Sequence, residues 1–311
     1  MAYSISNEIL GGSRSDEKIL SKLQLWQRLR SHKLLRVVWR FYTFFRPATQ
    51  AQLRAEPAAM GDLVIVYRHV FLSQDGQRFP QKSRPLGFDY LKCFQRLIET
   101  VSASKNAQRV RIIVMYNGTS AQLASDPFEN YLRECGRNIE VRLIDAHSAL
   151  ASFLVMLRAI KDMPLKSNDI IYFLENDYLH ADDWVDEVFN LYSSGLPFDY
   201  ASLYDHPDRY KFPGNYGRST IYVTESKHWT TAQSTCGTFM MRRDVFLRDF
   251  EYFYTAAHDH VMFTRLTVGM KRKLLTPLPG LAVHCMSEHL DPIQRFEAYF
   301  VRGAAAADEN D

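Results

Sequence analysis

Between Gly61 and Ser193 the chain alternates short apolar runs with amphipathic stretches. Leu63–Tyr67, Val110–Tyr116, Ile139–Ile144 and Asp169–Leu174 are dense in β-branched and aromatic residues and nearly free of polar interruptions, the pattern of strands covered on both faces. Helical periodicity follows each run, over 88–102, 127–136, 147–161 and 182–193. Strands alternating with helices predict a parallel sheet joined by right-handed crossovers. In such a sheet ligands bind beyond the carboxyl ends of the strands. Those ends carry Tyr67-Arg68-His69, Asn117-Gly118-Thr119 and Glu175-Asn176-Asp177. After Gly195 the alternation breaks. The pattern predicts strands at 198–203, 221–224, 237–241 and 281–284, helices near 243–254 and 258–269, and a loop over 205–220. Ahead of the alternating region, residues 16–46 read as helix. Ser15 or Asp16 caps it, and Pro47 lies just past its end. An alanine-rich linker, 47–60, follows. Residues 291–311 form a tail, disordered from Gly303 onward.

Composition narrows the class without changing this outline. In 311 residues, 46% are hydrophobic and 23% charged, a globular balance that allows one large domain or two small ones. Cys93, Cys135, Cys236 and Cys285 are scattered with no CxxC pair, which argues against structural zinc or a disulfide scaffold. They suit a reducing compartment and read as small buried apolar side chains. No apolar run reaches the roughly 18 residues of a membrane span, and the polar N-terminus lacks a signal-peptide core. The expected location is cytoplasmic. The net charge of +3 conceals a basic segment: Lys18 to Arg46 holds eight basic residues and no acid, so the remainder is net acidic. A uniformly basic nucleic-acid binder would differ, and no nucleic-acid partner is expected. The basic, aromatic helix of 16–46 suits a membrane surface, and equally suits packing on its own domain or a dimer contact.

The acidic group ending the fourth strand is the first candidate for chemistry. A hard dication takes oxygen ligands, and a diphosphate can complete its shell. Glu175 and Asp177, at i and i+2, project the same way from an extended backbone. The same tripeptide also reads as a solvated turn. Arg68 is a candidate bidentate partner for a phosphate, or a surface arginine. The stretch 205–230 sets Arg209, Lys211, Arg218 and Lys227 among aromatic residues that include Trp229. Sugars stack on aromatic faces and phosphates pair with cations, so Arg209, Lys211 and Trp229 are candidates for an acceptor loop. Glycine-rich nucleotide motifs, HExxH and the G-x-S-x-G elbow are absent.

The run Ile171-Tyr172-Phe173-Leu174-Glu175-Asn176-Asp177 resembles the D-x-D region of GT-A glycosyltransferases, with Glu in place of the first Asp. The likeness extends from about Leu63 to His284. Tyr116-Asn117-Gly118-Thr119-Ser120 is similar to the D-D-G-S-T turn of family-2-type enzymes, with Asn117 for an acid. Cys236-Gly237-Thr238-Phe239 resembles their glycine-led strand, and Ala257-His258-Asp259-His260 falls where they carry E-D, with His258 for the glutamate. The resemblance implies a GT-A, Rossmann-like α/β fold over 61–290, a mostly parallel sheet flanked by helices, behind an N-terminal helical extension (1–60). It implies a divalent metal, Mn2+ or Mg2+, on Asp177 and His284, with His289 as a fallback ligand. It further implies a nucleotide-sugar donor, UDP-sugar favoured, near Tyr67, Arg68, Asn117, Glu175 and Asn176, and Asp259 as the base of an inverting transfer. Asp259 also reads as a helix cap, and His284 as a hydrogen-bonded buried histidine. The expected reaction passes a sugar to a hydroxyl of a saccharide or lipid-linked glycan, at the inner face of a membrane if 16–46 binds one. Rival expectations are a nucleotidyltransferase acting on sugar phosphates and a non-catalytic carbohydrate- or membrane-binding protein of the same fold.

Overall fold

The structure is a computed structural model that describes residues 3–29, 60–71, 83–212, 219–255, 258–290 and 293. Ten strands form one sheet in the order β1-β4-β3-β2-β5-β10-β7-β11-β9-β8. They are β1 (Tyr3–Gly11), β2 (Leu63–Val70), β3 (Val110–Asn117), β4 (Ile139–Asp145), β5 (Ile170–Glu175), β7 (Tyr200–Ala201), β8 (Ile221–Val223), β9 (His228–Ala232), β10 (Phe239–Arg242) and β11 (Leu274–Leu278). A two-stranded antiparallel sheet joins β6 (Tyr178–His180) to β12 (Ala282–His284). From β1 to β5 all neighbours run parallel, and β10 then enters antiparallel between β5 and β7. The expected α/β architecture, a mostly parallel central sheet flanked by helices, is what the chain forms.

The pleat explains why the central strands read as continuous apolar runs. Leu63, Ile65 and Tyr67 of β2 enter one core, and Val64 and Val66 enter the other. In β5, Ile170, Tyr172 and Leu174 share the first core, and Ile171 and Phe173 the second. Helices Tyr90–Ala103, Pro127–Glu134 and Trp184–Ser193 cover the first face with Phe94, Phe128 and Trp184. Helices Ala149–Asp162 and Arg243–Thr255 cover the second with Met156, Leu157 and Phe246. Each such side chain contributes roughly 1.5–3 kcal/mol when fully buried. Local polar residues start the helices: Asp89 and Asp126 accept N–H groups of the first turns, and Thr119 with Gln122 forms a capping box.

The N-terminal region departs from expectation. Its first element is a strand: β1 lies parallel to β4, with Tyr3 opposite Ile139 and Ile5 opposite Val141. A helix then runs from Arg14 to Leu29. Asp16, a candidate cap of this helix, is 1% exposed. It takes Arg158 Nη1 at 2.6 Å and the hydroxyl of Tyr254, which ties the helix to two helices of the second core. Most of the basic stretch expected to meet a membrane (30–46), the linker, and nearly all of the tail lie outside the described residues. Among the described residues no helix is long and apolar enough to cross a membrane.

Candidate functional site

The carboxyl ends of β2 and β5 converge because the two strands pair in parallel with Arg68 opposite Glu175. The Arg68 guanidinium pairs with the Glu175 carboxylate and donates to the Ala149 carbonyl at 2.7 Å. Arg68, expected at a phosphate, is therefore held by two partners of its own chain. Glu175 donates its N–H to Thr238 Oγ1 at 3.3 Å, and its carboxylate lies against Gly237. A Cβ on Gly237 would approach that carboxylate to 3.1–3.2 Å, so only glycine leaves it ordinary room.

Asp259 opens the short helix Asp259–Thr264. Burial, and next the charge of Glu175, push its carboxyl up from 3.8 to about 6, against the opposing pull of Arg68 and of backbone N–H groups including that of Gly237. A carboxylate with this pKa is ionised at neutral pH yet more basic than an ordinary aspartate, the property required of a general base. The cap position of that helix belongs to His258, without a side-chain cap bond, so Asp259 is the first residue inside the helix rather than its cap.

Asp177 lies in the turn between β5 and β6, 2% exposed. The β6–β12 pairing sets Tyr178 opposite His284, whose ring stacks on Tyr178 at 4.8 Å. His284 Nε2 is 3.1 Å from Asp177 Oδ2. Two ligands on one ion with bonds of about 2.1 Å stand about 3 Å apart at right angles, so this oxygen–nitrogen pair has the spacing and donor types of adjacent ligands on a dication such as Mn2+. Arg84 Nη1, however, is 2.9 Å from the same oxygen. Its guanidinium also donates to the Cys285 carbonyl at 2.7 Å and the Tyr90 hydroxyl at 2.9 Å, and lies 4.5 Å from the Phe88 ring centroid. The pair fits a metal that displaces Arg84 from this oxygen.

The remaining candidates divide. Asn176 Nδ2 lies 3.5 Å from His69 Nδ1, and His69 Nε2 is 3.6 Å from Asp126. Asn117 pairs its amide with both backbone groups of Ala146, at 2.9 and 3.0 Å, which corrects its expected nucleoside contact to a strand-end clasp. Tyr67 is 2% exposed beneath Phe94 and Phe128, so it belongs to the core and not to a donor pocket. Trp229 is likewise corrected: fully buried on β9, its indole N–H bonds Thr224 Oγ1 at 3.2 Å, leaving no face for a sugar. Arg209 pairs with Asp205 at 3.3 Å, and Lys211 donates to the Glu288 carbonyl at 3.1 Å, joining its loop to the segment after β12. All four cysteines are free thiols, with Cys93 and Cys285 buried as expected. Burial, followed by the charges of Asp259 and Glu175, pushes the Cys236 thiol up, with Asp177 adding to the shift, so the three carboxylates share one electrostatic neighbourhood.

Arg84 and Gly237 are the site residues whose roles local sequence did not show. Arg84 stands in Ser83-Arg84-Pro85, which matches no motif, whereas Gly237 leads a strand whose family likeness assigns the glycine no role. His206 and Asp208 carried a readable sign, two metal-ligand types at i and i+2.

No family model matches the chain, and no curated protein matches it in sequence. Solved structures do resemble it. A UDP-glucose pyrophosphorylase complexed with UDP-glucose matches 81% of this chain and 100% of its own, at 9% identity and a TM-score of 0.45. A mannosyltransferase from Pyrobaculum calidifontis in complex with GDP-Man and Mn2+ matches 89% of this chain and 72% of its own, at 12% identity and a TM-score of 0.46. Mouse xyloside xylosyltransferase 1 matches 70% of this chain and 84% of its own, at 11% identity and a TM-score of 0.39. At such identities the chemistry of the crevice is read from this chain's own residues.

Proposed function

We propose that the chain is a GT-A-like glycosyltransferase that moves a sugar from a nucleotide-sugar donor to an acceptor hydroxyl with inversion. The observation that carries this is Asp259, raised to about 6 beside Glu175, in one electrostatic neighbourhood with Asp177 of the Asp177–His284 pair. In the reaction Asp259 takes the proton of the acceptor hydroxyl as its oxygen bonds to the anomeric carbon. The bond from that carbon to the diphosphate oxygen breaks, and the electron pair leaves with the nucleoside diphosphate. Glu175, fixed by Arg68 and Thr238, maintains the basicity of Asp259 through its own charge. Asp177 and His284 would hold the divalent metal, which when bound neutralises charge on the leaving diphosphate. Arg84 brings a second positive charge to the same place and can exchange Asp177 for a phosphate oxygen, with bidentate geometry.

The test is a screen of UDP-, GDP- and CMP-sugars for thermal stabilisation with and without Mn2+, since a ligand of the native state raises apparent stability. A metal-dependent shift with one donor, lost in Asp177→Ala, supports the reading. Asp259→Ala should keep that shift and lose release of nucleoside diphosphate. No shift with any donor, or production of pyrophosphate from a nucleoside triphosphate and a sugar phosphate, would refute it.

A further inference from the structure

Beside the Asp177–His284 pair lies a cluster that the proposed transfer does not use. His206 and Asp208 follow β7, and His289 follows β12. One donor atom from each lies within 4.8 Å of the others. The His206 and His289 rings are 5.3 Å apart, and His289 stacks at 6.4 Å on His284. We propose that His206, Asp208 and His289 form a second cation site, for a borderline dication of the Zn2+ class, that clips the segment after β7 to the segment after β12.

Three observations support it. The donor set is two imidazoles and one carboxylate, which suits Zn2+ and Co2+ better than Mg2+, a cation of all-oxygen shells. His289 Nδ1 is a buried nitrogen with no hydrogen-bond partner among the described residues, a costly state unless something else takes its lone pair or proton. The Asp208 carboxylate has no lysine or arginine within ion-pair distance among the described residues, and its ionic neighbour is His206 at 3.8 Å. Of the two cations in the same turn, Arg209 pairs with Asp205 and Lys211 donates to the Glu288 carbonyl.

The geometry needs modest adjustment. Tetrahedral ligands on bonds of about 2.0–2.1 Å stand about 3.3 Å apart, so the widest separation must close by roughly 1.5 Å. His206 currently accepts the Asp208 N–H at Nδ1, 3.1 Å away, and a metal at that nitrogen replaces this bond. Its side chain is 22% exposed and that of Asp208 35%, so both can turn. The two segments are already tied by Tyr204, whose hydroxyl donates to the His289 carbonyl at 2.6 Å, and by Lys211. A metal would fix the turn bearing Arg209 and Lys211 against the end of β12. The site stands whether or not the chain transfers a sugar.

The experiment uses the full chain, free of a polyhistidine tag and stripped of metal, with Co2+ alone and no nucleotide. One tight equivalent with visible ligand-field bands, displaced by Zn2+, is expected. Loss of even an outer-shell partner costs a metal site 10–100-fold, so His206→Ala, His289→Ala and the milder Asp208→Asn should each weaken Co2+ at least tenfold while circular dichroism stays native. The tight equivalent should persist in Asp177→Asn. Absence of tight binding in the wild-type chain, its survival in the His206→Ala/His289→Ala pair, or its loss in Asp177→Asn would overturn the proposal.

Discussion

Replacing Asp259 with asparagine should stabilise the protein while abolishing turnover, and by an amount that depends on pH. In the folded chain the carboxyl is raised from 3.8 to about 6, so the native state holds this proton more tightly than the unfolded chain does. Its contribution to stability is then complete below about pH 3.8 and is lost as the pH rises through about 6. Integrating the difference in bound protons between about pH 4.5 and about pH 7.5 gives a loss of about 2 kcal/mol over that interval. The Asp259→Asn variant has no such proton, keeps similar size, and escapes the loss. Urea unfolding of both proteins at the two pH values measures it. Relative to wild type, the variant should be more stable by about 2 kcal/mol more at pH 7.5 than at pH 4.5. A difference below about 0.5 kcal/mol, the scatter expected of substitutions outside special sites, would refute the claim that burial and Glu175 hold this carboxyl high.

The same electrostatics predict the turnover profile: Glu175→Gln removes the like charge, so the acid limb of kcat/KM, about 6 in the wild type, should move to lower pH, and Arg68→Met should move it higher. Unmoved limbs in both variants would detach Asp259 from this pair. Arg84→Met removes a positive charge 2.9 Å from Asp177 Oδ2. Mn2+ binding, followed by electron paramagnetic resonance, should tighten at least tenfold, or about 1.4 kcal/mol, while the donor KM rises. Unchanged Mn2+ affinity would place the metal elsewhere.

Local sequence set a large part of this outcome. β2, β3 and β5 were legible because strands covered on both faces are apolar at nearly every position, and their short length and β-branched residues mark them as strands. The location of Glu175 and Asp177 followed, since polar residues ending such a strand have the crevice before them. Elements at the margins were harder. β1 alternates Tyr3 and Ile5 with serines and pairs only at the sheet edge, β11 contains Pro277, and β6 has three residues, so none carries a long periodic signal. What each side chain does was decided by tertiary pairing. Register placed Arg68 opposite Glu175, 107 residues away, and turned an expected phosphate ligand into an ion-pair partner. Arg84 reached Asp177 from a segment with no motif, and Asn117 was taken up by the backbone of Ala146. Trp229, polar in surroundings by sequence, became core because β9 lies inside the sheet between β11 and β8. His206 and His289 meet because Tyr204, beside Ala282, brings the two chain segments together. Hydrophobic periodicity records how much of a residue is buried. Which partner meets it depends on crossovers and register that bring distant segments together, and those are properties of the assembled sheet.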